Sequence, residues 1–175
     1  MKKYSATTIE KFLITDDGVF PNHASLPVLL YRNVFSQGEK KRDTAADIEE
    51  IFAENNWKNA WRNGIYDYHH YHSITHEVLG IYGGCATVQL GGEGGIAIEI
   101  NKGDVLIIPA GVAHRNLSFD KDFKCVGAYP DGCDYDINYG KEKERPAADE
   151  NIRQVVLPAN DPVFGFDGPL LEYWK

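Results

Sequence analysis

Hydrophobic and polar residues alternate over short runs through most of the chain, a pattern typical of strands with one buried face. From residue 64 onward these runs are rich in Ile and Val, and turn-forming Gly, Asn, Asp and Pro residues separate them. The pattern predicts seven central strands, at residues 65–72, 77–83, 85–90, 96–100, 105–109, 115–119 and 123–129. We therefore expect an all-β core of the sandwich or barrel type.

The N-terminal part of the chain predicts two short strands, at 11–15 and 27–31, followed by one helix. The helix spans residues 44–55, where Thr44 and Asp47 form a capping-box pattern. Ile48, Ile51 and Phe52 then recur at helical spacing. We expect an amphipathic helix that lies on the domain.

The C-terminal part predicts a solvated charged loop at 141–145, one more strand at 155–157 and an irregular arm. The arm ends in a cluster of large apolar side chains, which are seldom left in water: Leu170, Leu171, Tyr173 and Trp174. We expect this arm to pack on the barrel or on a neighbouring subunit. Residues 1–175 are predicted to form one domain, with core motifs at 64–118, N-terminal elements at 1–63 and the C-terminal strand and arm at 130–175.

Composition narrows the classes of function. The 175 residues, 43% of them hydrophobic, suffice for one core, and a net charge of -8 argues against nucleic acid as a partner. No apolar run approaches the roughly 20 residues that span a bilayer, and the N-terminus lacks the apolar stretch of a signal peptide. We expect a cytoplasmic protein that does not interact with membranes. The three cysteines lack the spacing of a disulfide framework or zinc ribbon.

A cluster of histidines carries the candidate chemistry. Four of the six, His69, His70, His72 and His76, fall within eight residues, next to Glu77. On a helix His72 and His76 would share a face, whereas on a strand His70 and His72 would; the β-forming context favours the strand. Two residues apart on a strand, the Cα atoms of His70 and His72 would be about 6.6 Å apart, so that both imidazoles could reach one metal ion.

Two further residues could complete such a site. Glu77 begins the next predicted strand and offers a carboxylate. His114 follows a Pro-Ala-Gly turn that could aim it inward, with Asn116 two residues further on the same side. Strand parity places Tyr66 and Tyr68 with the ligands and predicts that they line the barrel. It places His69 and His76 on the opposite side, at the surface or behind the ligands.

These residues match two sequence motifs of a known family. The first cupin motif, G-x5-H-x-H-x4-E-x6-G, is matched by Gly64, His70, His72, Glu77 and Gly84. The second, G-x5-P-x-G-x2-H, is matched at four positions: Gly103, Pro109, Gly111 and His114. Ser118 stands where the family has Asn, which affects no metal ligand. The chain resembles a single-domain cupin of an uncharacterised bacterial branch.

The resemblance implies a cupin jelly-roll β-barrel, with an N-terminal amphipathic helix and a C-terminal arm added to it. It also implies one divalent metal ion, Fe, Mn, Ni or Zn, held by His70, His72, Glu77 and His114. Further candidates for the pocket are residues that parity or position brings near this site: Tyr66, Tyr68, Asn116, Tyr129 and His76. Edge strands or the arm could pair two copies, so we expect a homodimer.

Three functions compete at this stage. The first is a metal-dependent enzyme acting on a small polar or anionic molecule, of dioxygenase, isomerase or hydrolase type. The second is a binding module that senses or stores a small molecule or a metal without turnover. The third is a metal-free, epimerase-like cupin that transfers protons through His and Tyr. The complete ligand set favours the first.

Overall fold

In the computed structural model, residue 6, residues 8–35 and residues 44–175 are described. Within them lie nine strands: β1 Ile9–Phe12, β2 Val28–Tyr31, β3 Trp57–Asn63, β4 Glu77–Gly83, β5 Cys85–Leu90, β6 Ile96–Asn101, β7 Val105–Ile108, β8 His114–Phe119 and β9 Lys124–Pro130. Three α-helices accompany them: α1 Ala45–Glu54, α2 Ala147–Gln154 and α3 Leu170–Tyr173, with a 3₁₀ turn at Glu142–Glu144.

The strands form two antiparallel sheets. One has six strands in the order β1-β2-β7-β4-β9-β3, and the other has three in the order β6-β5-β8. Apolar side chains from both sheets pack between them, including Leu79, Val88, Ile100 and Leu106. The predicted cupin jelly-roll fold is confirmed.

The six-stranded sheet is buried on its outer face as well. Alternate residues of its strands, such as Val78 and Ile107, belong to a second core, which α1 and the C-terminal arm cover. The predicted capping box is present, since the Thr44 side chain accepts from the Asp47 N–H while the Asp47 side chain accepts from the Thr44 N–H. The arm packs on its own barrel, where Trp174 is buried and its Nε1 donates to the Pro27 carbonyl over 2.9 Å.

Several sequence-based predictions of elements were wrong. Residues 65–72 do not form a strand; they carry only isolated bridges, from His70 to His114 and from Tyr71 to Asn138. Adjacent residues there pair with different parts of the chain, so this segment crosses the end of the barrel instead of extending a sheet. Residues 155–157 are irregular and follow α2, so the predicted C-terminal strand is absent from the described part of the chain.

Other elements are shifted or were missed. The first strand begins at Ile9, two residues before the predicted start. The sequence also did not predict β3, because its residues are mostly polar and exposed, as suits the edge of a sheet. No helix among the described residues has the length and apolar character needed to cross a membrane. The predicted homodimer stays a prediction.

Candidate metal centre

The backbone brings the two sequence motifs together at one end of the barrel. Glu77 is the first residue of β4 and His114 is the first residue of β8. His70 lies opposite His114: the His70 N–H donates to the His114 carbonyl over 3.2 Å, and the His114 N–H donates back over 3.0 Å. The turn before His114 needs glycine, because Gly111 has a φ of +90° and a Cβ there would lie 2.3 Å from the Asn22 carbonyl oxygen.

Three imidazoles converge at this point. Each of His70, His72 and His114 offers a ring nitrogen, and these atoms all lie within 4.8 Å of one another. We call these three residues the histidine triad. Glu77 Oε2 lies 3.3 Å from His114 Nε2 and 3.5 Å from His72 Nε2. All four side chains are buried. The structure thus brings together the four predicted ligands, although the segment that carries two of them is not a strand.

The other ring nitrogen of each triad histidine contacts a backbone carbonyl. His70 Nδ1 lies 3.2 Å from the Tyr68 carbonyl oxygen, and His114 Nδ1 lies 3.0 Å from that of Val112. His72 Nδ1 contacts the Asp136 carbonyl oxygen in the same way. A carbonyl only accepts, so each Nδ1 carries a proton and Nε2 is the ring nitrogen left for a metal ion. Such contacts fix the tautomer and the ring orientation that metal ligation needs.

The buried carboxylate of Glu77 is stabilised by positive charge nearby. Although burial disfavours the charged form of Glu77, His72 and His114 hold the pKa of this carboxyl below its usual range. Burial likewise opposes a charge on His72, but Glu77 raises the pKa of that ring. Burial and the neighbouring His114 lower the pKa of His70 to about 3, so that this ring is neutral at neutral pH. A cation at the shared centre would compensate the buried carboxylate directly.

The second oxygen of Glu77 is held by a hydrogen-bonded pair of aromatic side chains. Tyr129 donates its hydroxyl proton to Glu77 Oε1 over 3.2 Å, and Trp61 Nε1 donates to the Tyr129 oxygen over 2.8 Å. Burial, together with the charge on Glu77, raises the pKa of Tyr129, which therefore keeps its proton. Trp61 can pack this closely because Gly127 lies beneath it, where a Cβ would be 2.2 Å from the indole.

A loop after β9 completes the site. The Asp136 carboxylate accepts from the Ser73 N–H over 2.7 Å and from the Asn138 side-chain amide over 2.7 Å. It therefore holds the turn that follows His72, while its carbonyl orients the ring of His72. Sequence reasoning did not identify Trp61, Tyr135 or Asp136. Trp61 lies just before the first motif, Tyr135 and Asp136 lie well after the second, and no local pattern marks any of them.

The structure places the remaining candidates differently from the parity argument. Tyr66 lines the mouth of the cavity, whereas Tyr68 does not, and both rings are about half exposed instead of lining the barrel. The reason is that residues 65–68 are not part of a strand, so strand parity does not apply. Asn116 is buried on the same side as His114 and borders an adjoining hollow between Tyr66 and Phe119.

His76 and His69 are both buried, which excludes the surface and leaves the second of the two predicted positions, behind the ligands. The C-terminal arm covers His76, whose ring packs on Trp174 with centroids 4.7 Å apart, and His76 Nδ1 accepts from the Ala110 N–H over 2.9 Å. It does not line the cavity. His69 packs against Phe20, and neither of its ring nitrogens has a hydrogen-bond partner among the described residues.

A cavity of about 170 Å³ opens onto the triad and Glu77. Its walls are aromatic and aliphatic, from Trp61, Ile65, Tyr66, Leu79, Tyr129, Tyr135 and Ile137. Residues Arg62 to Gly64 form part of the rim. A few polar groups that converge in an otherwise apolar pocket are typical of a small-molecule site.

The residues present fit a divalent metal ion. Three imidazoles and one carboxylate form a mixed nitrogen and oxygen donor set of the kind that first-row divalent metals use. The carbonyl contacts engage the three Nδ1 atoms, so Nε2 is the nitrogen through which each ring would bind the ion. His70, His72, His114 and Glu77 would hold the ion.

Comparison with known proteins gives one relative of high similarity. The chain is 44% identical over 165 residues to the uncharacterized protein YjlB of Bacillus subtilis (strain 168). The matching region covers 94% of this chain and 96% of that protein. No family model matches the chain.

Solved structures give weaker similarities. Acireductone dioxygenase from Bacillus anthracis, with a cadmium ion in its active center, has a TM-score of 0.40 and 15% identity over 75% of this chain and 82% of its own. The DMSP lyase DddQ from Ruegeria pomeroyi DSS-3 has a TM-score of 0.36 and 18% identity over 77% of this chain and 51% of its own. Procruciferin, an 11S globulin from Brassica napus, has a TM-score of 0.37 and 20% identity over 47% of this chain. The chain spans only 21% of procruciferin. The identity and coverage of the Bacillus subtilis relative show that the chain belongs to the YjlB family.

Proposed function

We propose that this protein is a metal-dependent enzyme acting on a small polar or anionic molecule. The ion is held by His70, His72, Glu77 and His114, and it is Fe, Mn, Ni or Zn. The observation that carries the proposal is the arrangement of the triad, in which each Nδ1 contacts a backbone carbonyl and the Nε2 atoms of His72 and His114 face the Glu77 carboxylate. Three buried imidazoles that serve only to pack would have no need of one shared tautomer.

A divalent ion in this site would supply a Lewis acid that polarises an oxygen atom of the substrate. The chain's own residues then have separate tasks. Tyr129 and Trp61 hold one oxygen of Glu77, so that the other stays directed toward the triad. The aromatic walls of the cavity reduce the access of water, which strengthens electrostatic interactions within it.

Charge favours an anionic or strongly polar substrate. Three neutral imidazoles, one carboxylate and one divalent ion leave a net positive charge in a largely apolar cavity. A carboxylate, enediol or hydroxy-ketone oxygen would compensate this charge. Dioxygenase, isomerase and hydrolase reactions are each compatible with a substrate whose oxygen atom lies next to such an ion.

Elemental analysis of protein purified without a chelator or an affinity metal tests the proposal. We expect about one ion per chain in the wild type, and loss of that ion in both His72→Ala and Glu77→Ala. His69→Leu is the matched control. It removes a buried histidine that lies next to His70 in the chain but is not one of the four proposed ligands, and the ring nitrogens of His69 form no hydrogen bond with those ligands. That variant should keep its metal.

Turnover of a metabolite panel then separates an enzyme from a binding module. Activity that is lost on chelation and restored by the ion supports the proposal. A ligand that only raises the melting temperature, without being converted, would indicate a binding module instead. A wild-type protein that takes up none of the four ions would contradict the metal site itself.

A further inference from the structure

The size of the cavity limits what can reach the triad. Its volume of about 170 Å³ is close to that of an engineered cavity of about 150 Å³ that binds benzene. The space above the four predicted ligands therefore accommodates one six-membered ring with a small substituent, and a two-ring ligand would have to extend into the adjoining hollow bordered by Asn116 or into solvent.

Two exposed aromatic rings flank the triad at the mouth of this cavity. Tyr66 is 48% exposed and its ring centroid lies 5.2 Å from that of His70. Tyr135 is 44% exposed and its centroid lies 5.3 Å from that of His72. A ligand bound at the triad would meet both tyrosines.

Each of these two rings is held by a second tyrosine. Tyr66 stacks on Tyr68 with centroids 4.9 Å apart and planes inclined by 15°. Tyr135 stacks on Tyr129 at 4.8 Å and 20°. Stacking fixes the orientation of the rings, so their free faces are available to a ligand without the loss of much side-chain entropy on binding.

Several polar atoms of the rim already have partners within the protein. The Arg62 guanidinium donates to both carboxylate oxygens of Glu49, over 2.6 and 2.7 Å. Asn63 Oδ1 accepts from the Gly64 N–H over 2.8 Å, and Trp61 Nε1 donates to Tyr129. A sugar or polyol would lose hydrogen bonds with water wherever its hydroxyl groups met the aromatic faces of the walls, which is unfavourable.

From these observations we infer that the substrate carries a single aromatic ring with an anionic oxygen. The ring lies against Tyr66 and Tyr135, and the oxygen points toward His70, His72, His114 and Glu77. The inference rests on the proposed function, because a bound cation is what attracts the anionic oxygen.

Benzoate and cyclohexanecarboxylate form a matched pair of probes. Both have one carboxylate on a six-membered ring, but only benzoate is planar and aromatic. Calorimetric titration of the zinc-loaded protein should show benzoate binding more tightly by about two- to tenfold, the range expected for one aromatic contact. Equal binding, or tighter binding of cyclohexanecarboxylate, would overturn the inference.

Two variants test which rings are responsible. Tyr66→Leu and Tyr135→Leu should each reduce the preference for benzoate and leave the zinc content at the wild-type value. Tyr139→Leu is the control, since Tyr139 is 45% exposed and does not line the cavity. A preference that survives both substitutions, or that is lost equally in the control, contradicts the assignment.

Zinc content distinguishes failure of this inference from failure of the proposed function. A protein that binds zinc at the triad but does not discriminate between the two acids overturns the inference alone. A protein that binds no metal overturns the proposed function and the inference together.

Discussion

The histidine triad and His76 are about equally buried, yet their rings are held in opposite ways. In the triad, each Nδ1 donates to a backbone carbonyl, which leaves Nε2 as the nitrogen that could bind a metal ion. In His76, Nδ1 accepts from the Ala110 N–H, so the proton of the neutral ring is on Nε2 and no lone pair remains for a metal. Burial lowers the pKa of His76 to about 3, so this ring is neutral at neutral pH. The comparison shows that the backbone partner of the ring decides whether a buried histidine can be a ligand.

The substitution His76→Ala tests this comparison and has the largest expected effect. We expect the free energy of unfolding to fall by about 3 kcal/mol, because the substitution leaves a cavity beneath Trp174 and removes the acceptor of the Ala110 N–H. Urea denaturation measures this loss, and elemental analysis of the folded variant should still find metal. Unchanged stability together with a loss of metal would mean that His76 serves the metal site and does not support the packing of the C-terminal arm.

A smaller effect is expected for Tyr129→Phe. The ring and its stacking on Tyr135 stay, but Glu77 Oε1 loses a hydrogen-bond donor and Trp61 loses its acceptor. Loss of such a partner of a ligand typically lowers metal affinity by about 10- to 100-fold. Competition with a chromophoric chelator measures the affinity. Tyr139→Phe serves as the control, and equal affinity in the two variants would show that Tyr129 does not position Glu77.

The smallest effect is expected for His69→Leu. Both ring nitrogens of His69 are buried without a hydrogen-bond partner among the described residues, and Nε2 lies 3.7 Å from Oε1 of the exposed Glu93. An apolar side chain of similar size would therefore remove only a weak electrostatic contact. The free energy of unfolding should change by less than about 1 kcal/mol in urea denaturation. A larger destabilisation would mean that His69 takes part in an interaction with solvent or ligand that its neighbours in the protein do not provide.

The sequence motifs predicted which side chains converge, because their spacing holds even where local structure is misjudged. His70 and His72 were assigned to a strand, and they converge although only isolated bridges are present there. The fixed distances from Gly64 to Glu77 and from Gly103 to His114 suffice, since β4 and β8 begin at the same end of the barrel. The short apolar runs of the central strands are likewise a strong signal, because each strand has at least one face in a core.

Parity arguments failed where the backbone leaves the sheet. Tyr66 and Tyr68 were expected to line the barrel and are about half exposed, whereas His76, expected at the surface or behind the ligands, is buried beneath the C-terminal arm. The residues that orient the site come from β3 and from the loop after β9. Their positions depend on tertiary packing, such as the contact of Trp61 with Gly127, which no short-range pattern contains.

The three carbonyls that orient the triad belong to separate parts of the chain, at Tyr68, Val112 and Asp136. An unfolded chain keeps the imidazoles but loses the groups that aim them, so the ion should bind the native state far more tightly than the unfolded state. Thermal stability is then linked to free metal concentration, by about 2.7 kcal/mol when the ion is present at 100 times its dissociation constant. The midpoint of thermal unfolding would thus rise with the supply of metal in the buffer or in the cell.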